Sequence, residues 1–176
     1  HMVVLIVDDQ TNVVSGLIAG VNWDRINITK VIKAYNAKEA RDIIENNIVD
    51  IMLVDIEMPV ENGLSLVKWV KKHKQNIDCI MLTAHADFMF AKEAIQIEAF
   101  DYIIQPARYE DIEKSITKAM DKIKENREIQ EYSSYGQVLF SKKDKFIKSI
   151  IHEWLYKKDS AIDSILLDLN KLDINI

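Results

Sequence analysis

The sequence predicts a doubly wound α/β domain built on five parallel strands, and three observations lead there. Short apolar runs alternate with amphipathic segments in a steady order from residue 3 to about residue 123, which is the pattern of a parallel sheet covered by helices on both faces. Each interval between runs is long enough for one crossover helix, expected to be right-handed. Two of the runs stop on carboxylates, Val3-Val4-Leu5-Ile6-Val7 on Asp8-Asp9 and Ile51-Met52-Leu53-Val54 on Asp55. The carboxyl ends of parallel strands are where open α/β sheets place their ligand chemistry.

Taken in order, the strands read as residues 3–7, 30–35, 51–54, 79–83 and 101–104. The helices between them fall near residues 11–18, 37–46, 64–74 and 88–97. A fifth helix starts near Tyr109 and carries Ile112, Ile116, Met120 and Ile123 at three- and four-residue spacing, so one face packs on the sheet. Beyond Ile123 the stripe fades into Lys124-Glu125-Asn126-Arg127-Glu128, polar on every side and read as a spacer. Ser133-Ser134-Tyr135-Gly136 reads as a break. Ser141 with Asp144 resembles a capping-box start, followed by an apolar face of Phe146, Ile147, Ile150, Ile151, Trp154 and Leu155. A last helical segment at residues 160–172 presents Ile162, Ile165, Leu166 and Leu169. The expected organisation is residues 1–2 as a tag remnant and initiator, 3–124 as the main domain, 125–136 as spacer and break, and 137–176 as a helical linker segment.

Composition bounds the function. The 176 residues suffice for one domain and a smaller appendage, and with 48% apolar residues a real core can form. A formal charge of −5 argues against a large basic surface for nucleic acid. The single cysteine, Cys79, lies in an apolar run, so no disulfide framework exists and a reducing, cytoplasmic setting is expected. No apolar stretch approaches the roughly 18 residues of a spanning helix. Met81, Met89 and Met120 read as core, while His73, His85 and His152 have no metal-like spacing.

Adjacent parallel strands would gather Asp8, Asp9 and Asp55 into one acidic cluster, which repels itself unless a cation sits there or a carboxylate stays protonated. It could be a divalent-cation site, a carboxylate pair neutralised by a lysine, or a nucleophilic carboxylate activated by a metal. Magnesium suits the first and third, since it favours oxygen ligands and retains waters.

At these residues the chain resembles the response-regulator receiver domain of two-component signalling, from Val3 to about Lys122. The pattern is an acidic pair after the first strand (Asp8-Asp9), an aspartate after the third (Asp55), a hydroxyl residue after the fourth (Thr83) and Lys-Pro after the fifth, here Gln105-Pro106. The resemblance implies a flavodoxin-like sheet of strand order 2-1-3-4-5 with a C-terminal helical extension. It implies that Asp55 accepts a phosphoryl group from a phosphohistidine of a sensor histidine kinase. Mg²⁺ would be held by Asp8, Asp9, Asp55 and the backbone carbonyl of Glu57. Thr83 would hydrogen-bond the phosphoryl group and move inward, Tyr102 would be the switch aromatic, and Pro106 would follow a cis bond. Ala84 would leave the entry open, Met58-Pro59 and Gly63 would shape the loop, and His85 could tune the lifetime of the acyl phosphate. The coupled surface would run from residue 88 to 97 and across the fifth strand and helix.

Gln105 departs from the pattern, because an amide can donate a hydrogen bond but brings no charge, and charge-assisted bonds are roughly twice as strong. Lys68, Lys92 and Arg108 are the cations that could stand in for the missing lysine. Asn22-Trp23, Asp87-Phe88 and Ala91-Lys92-Glu93-Ala94-Ile95 are similar to receivers of AraC-type transcription regulators. That likeness implies a DNA-binding output beyond this chain, which itself has no basic recognition helix. A homodimer through the C-terminal helices or the fourth-to-fifth-helix face is a further expectation. Two other readings compete: a phosphate-independent interaction or dimerisation module, and a haloacid-dehalogenase-type phosphatase. The latter wants Asp-x-Asp, whereas here Gln10 follows an adjacent Asp8-Asp9.

Overall fold

A computed structural model describes residues 2–74 and 76–156. The chain runs β1 (Met2–Val7), α1 (Thr11–Gly20), β2 (Ile28–Ala34), α2 (Ala37–Asn46), β3 (Ile51–Asp55), α3 (Gly63–His73), β4 (Asp78–Thr83), α4 (Phe88–Gln96), β5 (Asp101–Ile104) and α5 (Tyr109–Tyr156). The five strands form one parallel sheet of order β2-β1-β3-β4-β5, the flavodoxin-like arrangement. Two compact units divide the chain, residues 1–124 and 125–176.

The period-2 geometry of each strand feeds two cores at once. Leu5, Val7, Met52, Val54, Cys79 and Met81 point to one face, where Ala40, Ile44, Leu66, Val67, Val70 and Ala94 of α2, α3 and α4 cover them. Val4, Ile6, Ile51, Leu53, Ile80 and Leu82 point to the other, against Val14 and Leu17 of α1 and Ile112, Ile116, Ala119 and Met120 of α5. Strands β3 and β4 are buried at every residue because a helix layer lies on each side. Burial pushes the Cys79 thiol up to about 12, which makes it an inert core group. Met81 and Met120 are in the core, but Met89 is 63% exposed. It sits in the first turn of α4, where only Ala94 is buried, so its apolar character does not report packing there.

The starts of α2, α3 and α4 follow side-chain chemistry. Asn36 accepts the Glu39 N–H at 2.8 Å while the Glu39 carboxylate accepts the Tyr35 N–H at 2.8 Å. Asn62 caps α3 through the Ser65 N–H, and Asp87 caps α4 through that of Met89. Each such cap stabilises by about 1 kcal/mol.

The break expected at Ser133-Ser134-Tyr135-Gly136 and the restart at Ser141 do not occur, since α5 is helical through both. Ser and Tyr cost only tenths of a kcal/mol in a helix and one glycine about 1 kcal/mol, too little to interrupt a run flanked by Glu, Gln, Leu and Lys. The segment read at residues 160–172 lies outside the described residues.

The β3–α3 loop is tightly built. The Gly63 N–H donates to Ile56 O at 2.9 Å, and a Cβ on Gly63 would stand 2.0 Å from the Asp55 carbonyl oxygen. Gly63 therefore serves close approach to the strand end rather than an unusual φ. The left-handed residue is Val60, at φ 70°, a region that β-branched side chains rarely adopt. Two substitutions should move stability in opposite directions. Gly63→Ala is expected to destabilise by about 2–3 kcal/mol through overpacking, and Val60→Gly to stabilise by about 1 kcal/mol after its unfolded-state entropy is counted. Urea denaturation monitored by circular dichroism reads both.

Candidate functional site

The sheet register builds the site. Val7 pairs with Val54, so Asp8 and Asp55 leave the sheet from neighbouring strands. Asp55 pairs with Leu82, and Thr83 pairs with Ile104, which places Thr83 and Gln105 at the next two strand ends. Every residue the sequence pattern singled out thus belongs to one edge of the sheet.

Carboxylate oxygens of Asp8, Asp9 and Asp55 lie within 4.8 Å of one another. Asp8 and Asp55 are buried and Asp9 is half-buried. At that separation two full charges repel by roughly 3–4 kcal/mol at an effective dielectric near 20. The Asp8 carboxyl is accordingly pushed up to about 6, mainly by burial, with the charges of Asp55 and Asp9 adding; the Gln10 N–H, donating to Oδ1 at 2.8 Å, pulls the other way. Burial also raises Asp55, opposed by the N–H groups of Glu57 and Ile56 and reinforced by Asp9 and Glu57. Asp9 Oδ1 is buried without a hydrogen-bond partner. An all-oxygen cluster with one buried oxygen left unmatched fits a hard divalent cation such as Mg²⁺.

Around the cluster, Thr83 is fully buried, and its hydroxyl accepts the His85 N–H at 3.1 Å. Tyr102 donates its hydroxyl to the His85 carbonyl at 3.3 Å. Its own titration is raised, first by burial and then by Asp87 and Glu57, with a bond to the Thr83 side chain opposing. The imidazole of His85 reaches Glu57 at 2.9 Å, joining the loops that follow β3 and β4. Sequence alone did not single out that contact, which depends on two loops meeting. Both side chains are exposed, so the pair orients more than it stabilises. Gln105 is half-buried, donates its main-chain N–H to the Thr83 main-chain carbonyl at 2.7 Å and precedes a cis bond to Pro106. Ala84 is exposed beside it.

The cations considered as substitutes for the missing lysine have other partners or lie elsewhere. Lys68 pairs with Glu93 at 2.5 Å and Arg108 with Asp111 at 3.1 Å. Lys92 is exposed on α4. On that helix Phe88, Met89 and Ile95 also stand exposed. No helix among the described residues is long and apolar enough to cross a membrane.

Five parallel strands with three carboxylates, a buried hydroxyl and an X-Pro bond at their carboxyl ends define a flavodoxin-like domain with an acidic site suited to a hard cation. The family model for the response regulator receiver domain matches residues 4–117, and the chain belongs to that family. It is 26% identical over 121 residues to the uncharacterized transcriptional regulatory protein YesN of Bacillus subtilis, covering 69% of this chain and 33% of that protein. It is 26% identical to the uncharacterized response regulatory protein SERP2406 of Staphylococcus epidermidis, covering 98% of this chain and 70% of that one. The receiver domain of AraT from Geobacillus stearothermophilus superposes with a TM-score of 0.66 at 28% identity, over 72% of this chain and 98% of that domain. This chain spans about a third of the length of the Bacillus relative.

The raised Asp8 carboxyl sets the pH dependence of stability. A carboxyl whose folded value exceeds its unfolded one binds more protons folded, so its contribution is present at low pH and is lost as pH rises through about 6. Without divalent cations, stability should fall between the ordinary carboxylate range and pH about 6. Asp8→Asn should lessen that fall, leaving the part that the raised Asp55 carboxyl contributes, and make the protein more stable at pH 7 by about 1–2 kcal/mol, allowing for screening. Denaturation curves across pH in the presence of a chelator check this.

Proposed function

We propose that this chain accepts a phosphoryl group on Asp55 from a phosphohistidine of a sensor histidine kinase. The observation that carries the reading is the convergence of Asp8, Asp9 and Asp55 within 4.8 Å beside the buried Thr83 hydroxyl. An oxygen of Asp55 attacks phosphorus as the phosphorus–nitrogen bond breaks; the imidazole nitrogen keeps the electron pair, and an acyl phosphate remains. Asp8, Asp9, the second oxygen of Asp55 and the carbonyl of Glu57 would hold Mg²⁺. When bound, that ion offsets the charge of a dianionic group approaching a carboxylate.

The protein's own groups do the rest. The N–H groups of Ile56 and Glu57 hold the Asp55 carboxylate, and Thr83 turns its hydroxyl from the His85 backbone to a phosphoryl oxygen. That releases the contacts which Thr83 and Tyr102 share at His85, and so couples phosphorylation to the β4–α4 loop and β5. Gln105 donates an amide N–H where the family has an ammonium. The domain acts as a phosphoacceptor, its own chemistry limited to self-phosphorylation and autodephosphorylation, and it works in the cytoplasm. It passes the signal to a C-terminal DNA-binding output of the AraC type. The likeness to the AraT receiver and to YesN supports that output, and the exposed Phe88, Met89 and Ile95 support a partner or second copy on the α4 side.

A phosphate-independent interaction module is the second reading, favoured by one observation, the neutral Gln105 at the lysine position. Incubation with a small phosphodonor and Mg²⁺, read by intact mass, separates them. Phosphoacceptance predicts a product carrying one added phosphoryl group that is absent from Asp55→Ala, and a Gln105→Lys variant that is phosphorylated faster or holds the group longer. No Asp55-dependent product in either protein would establish the second reading instead.

A further inference from the structure

Tyr109 opens α5 four residues after Gln105, and its ring lies across α1. A Cβ on Gly20 would stand 2.2 Å from Cε2 and Cζ of that ring, and one on Gly16 would stand 3.5 Å from its hydroxyl oxygen. Residues four apart share a helix face, so Gly16 and Gly20 leave a notch in α1 that the ring occupies. The same helix begins at Thr11, directly after Asp8-Asp9-Gln10. At the other end of the segment from Gln105 to Tyr109, the chain is tied to β4, because the Gln105 main-chain N–H donates to the Thr83 main-chain carbonyl at 2.7 Å. The loop bearing Gln105 is therefore pinned on one side to the strand that carries Thr83 and on the other to the helix that follows the acidic pair. Gln105, Ala84, Asn12 and Tyr109 line a single groove of about 490 Å³ between α1 and this loop.

We propose that Tyr109, seated on the Gly16 and Gly20 notch, is a positioning residue that holds the Gln105 amide in place for the phosphoryl group on Asp55; this rests on the phosphoacceptor reading above. The physical reason lies in what an amide lacks. An ammonium on a flexible four-carbon stem attracts an anion from several ångströms away and corrects its own placement. A neutral N–H donor contributes only within a narrow range of distance and angle. A site that uses glutamine depends on a loop already in register, whereas a site that uses lysine does not.

The test measures initial phosphorylation rates against acetyl phosphate concentration, with Mg²⁺, for the wild type, Tyr109→Ala, Gly20→Ala and Tyr109→Phe. Each is made again with Gln105→Lys, and thermal unfolding confirms that all are folded. Tyr109→Ala and Gly20→Ala should each lower the maximal rate about tenfold, the worth of one hydrogen bond, with half-saturation by the donor unchanged. Tyr109→Phe, which keeps the ring, should match the wild type, and with Gln105→Lys the loss in Tyr109→Ala should nearly vanish. An unchanged rate in Tyr109→Ala, or an equal loss in both backgrounds, overturns the positioning role alone. Absence of Asp55-dependent product in both the wild type and Gln105→Lys overturns the phosphoacceptor reading and this role together.

Discussion

Three carboxylates held at the ends of two neighbouring strands are the constraint on which the rest of this structure depends. Parallel pairing of β1 with β3 in the register Val7 to Val54 leaves Asp8, Asp9 and Asp55 no room to separate. The fold offsets part of the cost locally. Backbone N–H groups of Gln10, Ile56 and Glu57 face the carboxylates, and Asp8 is displaced far enough upward to keep a proton in mildly acidic solution. The unmatched Asp9 Oδ1 is what these devices leave over. A self-repelling buried cluster weakens a protein unless a ligand relieves it, and here the geometry suits a hard cation.

The neighbouring elements serve that edge. Gly63 brings the β3–α3 loop against the Asp55 carbonyl with no room for a side chain, and Val60 carries the strained backbone two residues beyond Met58. On the β4 side, the Thr83 hydroxyl, the Tyr102 hydroxyl and the Glu57 carboxylate all meet at His85, through its N–H, its carbonyl and its imidazole respectively. One residue on the β4–α4 loop thus touches groups from β4, β5 and the β3–α3 loop. A change at Asp55 that draws Thr83 inward would be felt along that set of contacts.

Much of this was legible in the sequence because parallel strands buried on both faces leave short apolar runs that helices cannot imitate at that length. The strand at residues 101–104 coincides with β5, and those read at 51–54 and 79–83 each fall one residue short of Asp55 and Asp78. Strand β2 runs from Ile28 to Ala34 where the pattern predicts residues 30–35, because exposed Thr29 and Lys30 separate the buried Ile28 from the rest of this edge strand's apolar residues. The gathering of Asp8, Asp9 and Asp55 followed from strand adjacency alone. The sequence could not disclose contacts that need two distant segments: His85 with Glu57, or Tyr109 with Gly20. Gly16-x-x-x-Gly20 on one helix face was the available signal for the second. Helix α5 persists through Gly136 because the helix formers on either side outweigh the breaker residues Ser133, Ser134 and Gly136.

The central claim is that the acidic edge is built around a cation that takes the place of a proton. Isothermal titration of Mg²⁺ near pH 6, repeated in buffers of different ionisation enthalpy, measures that exchange directly. The account predicts binding accompanied by release of up to one proton, with both binding and release lost in Asp8→Asn combined with Asp9→Asn. Equal Mg²⁺ binding by the wild type and that double variant, or binding without proton release, would contradict it.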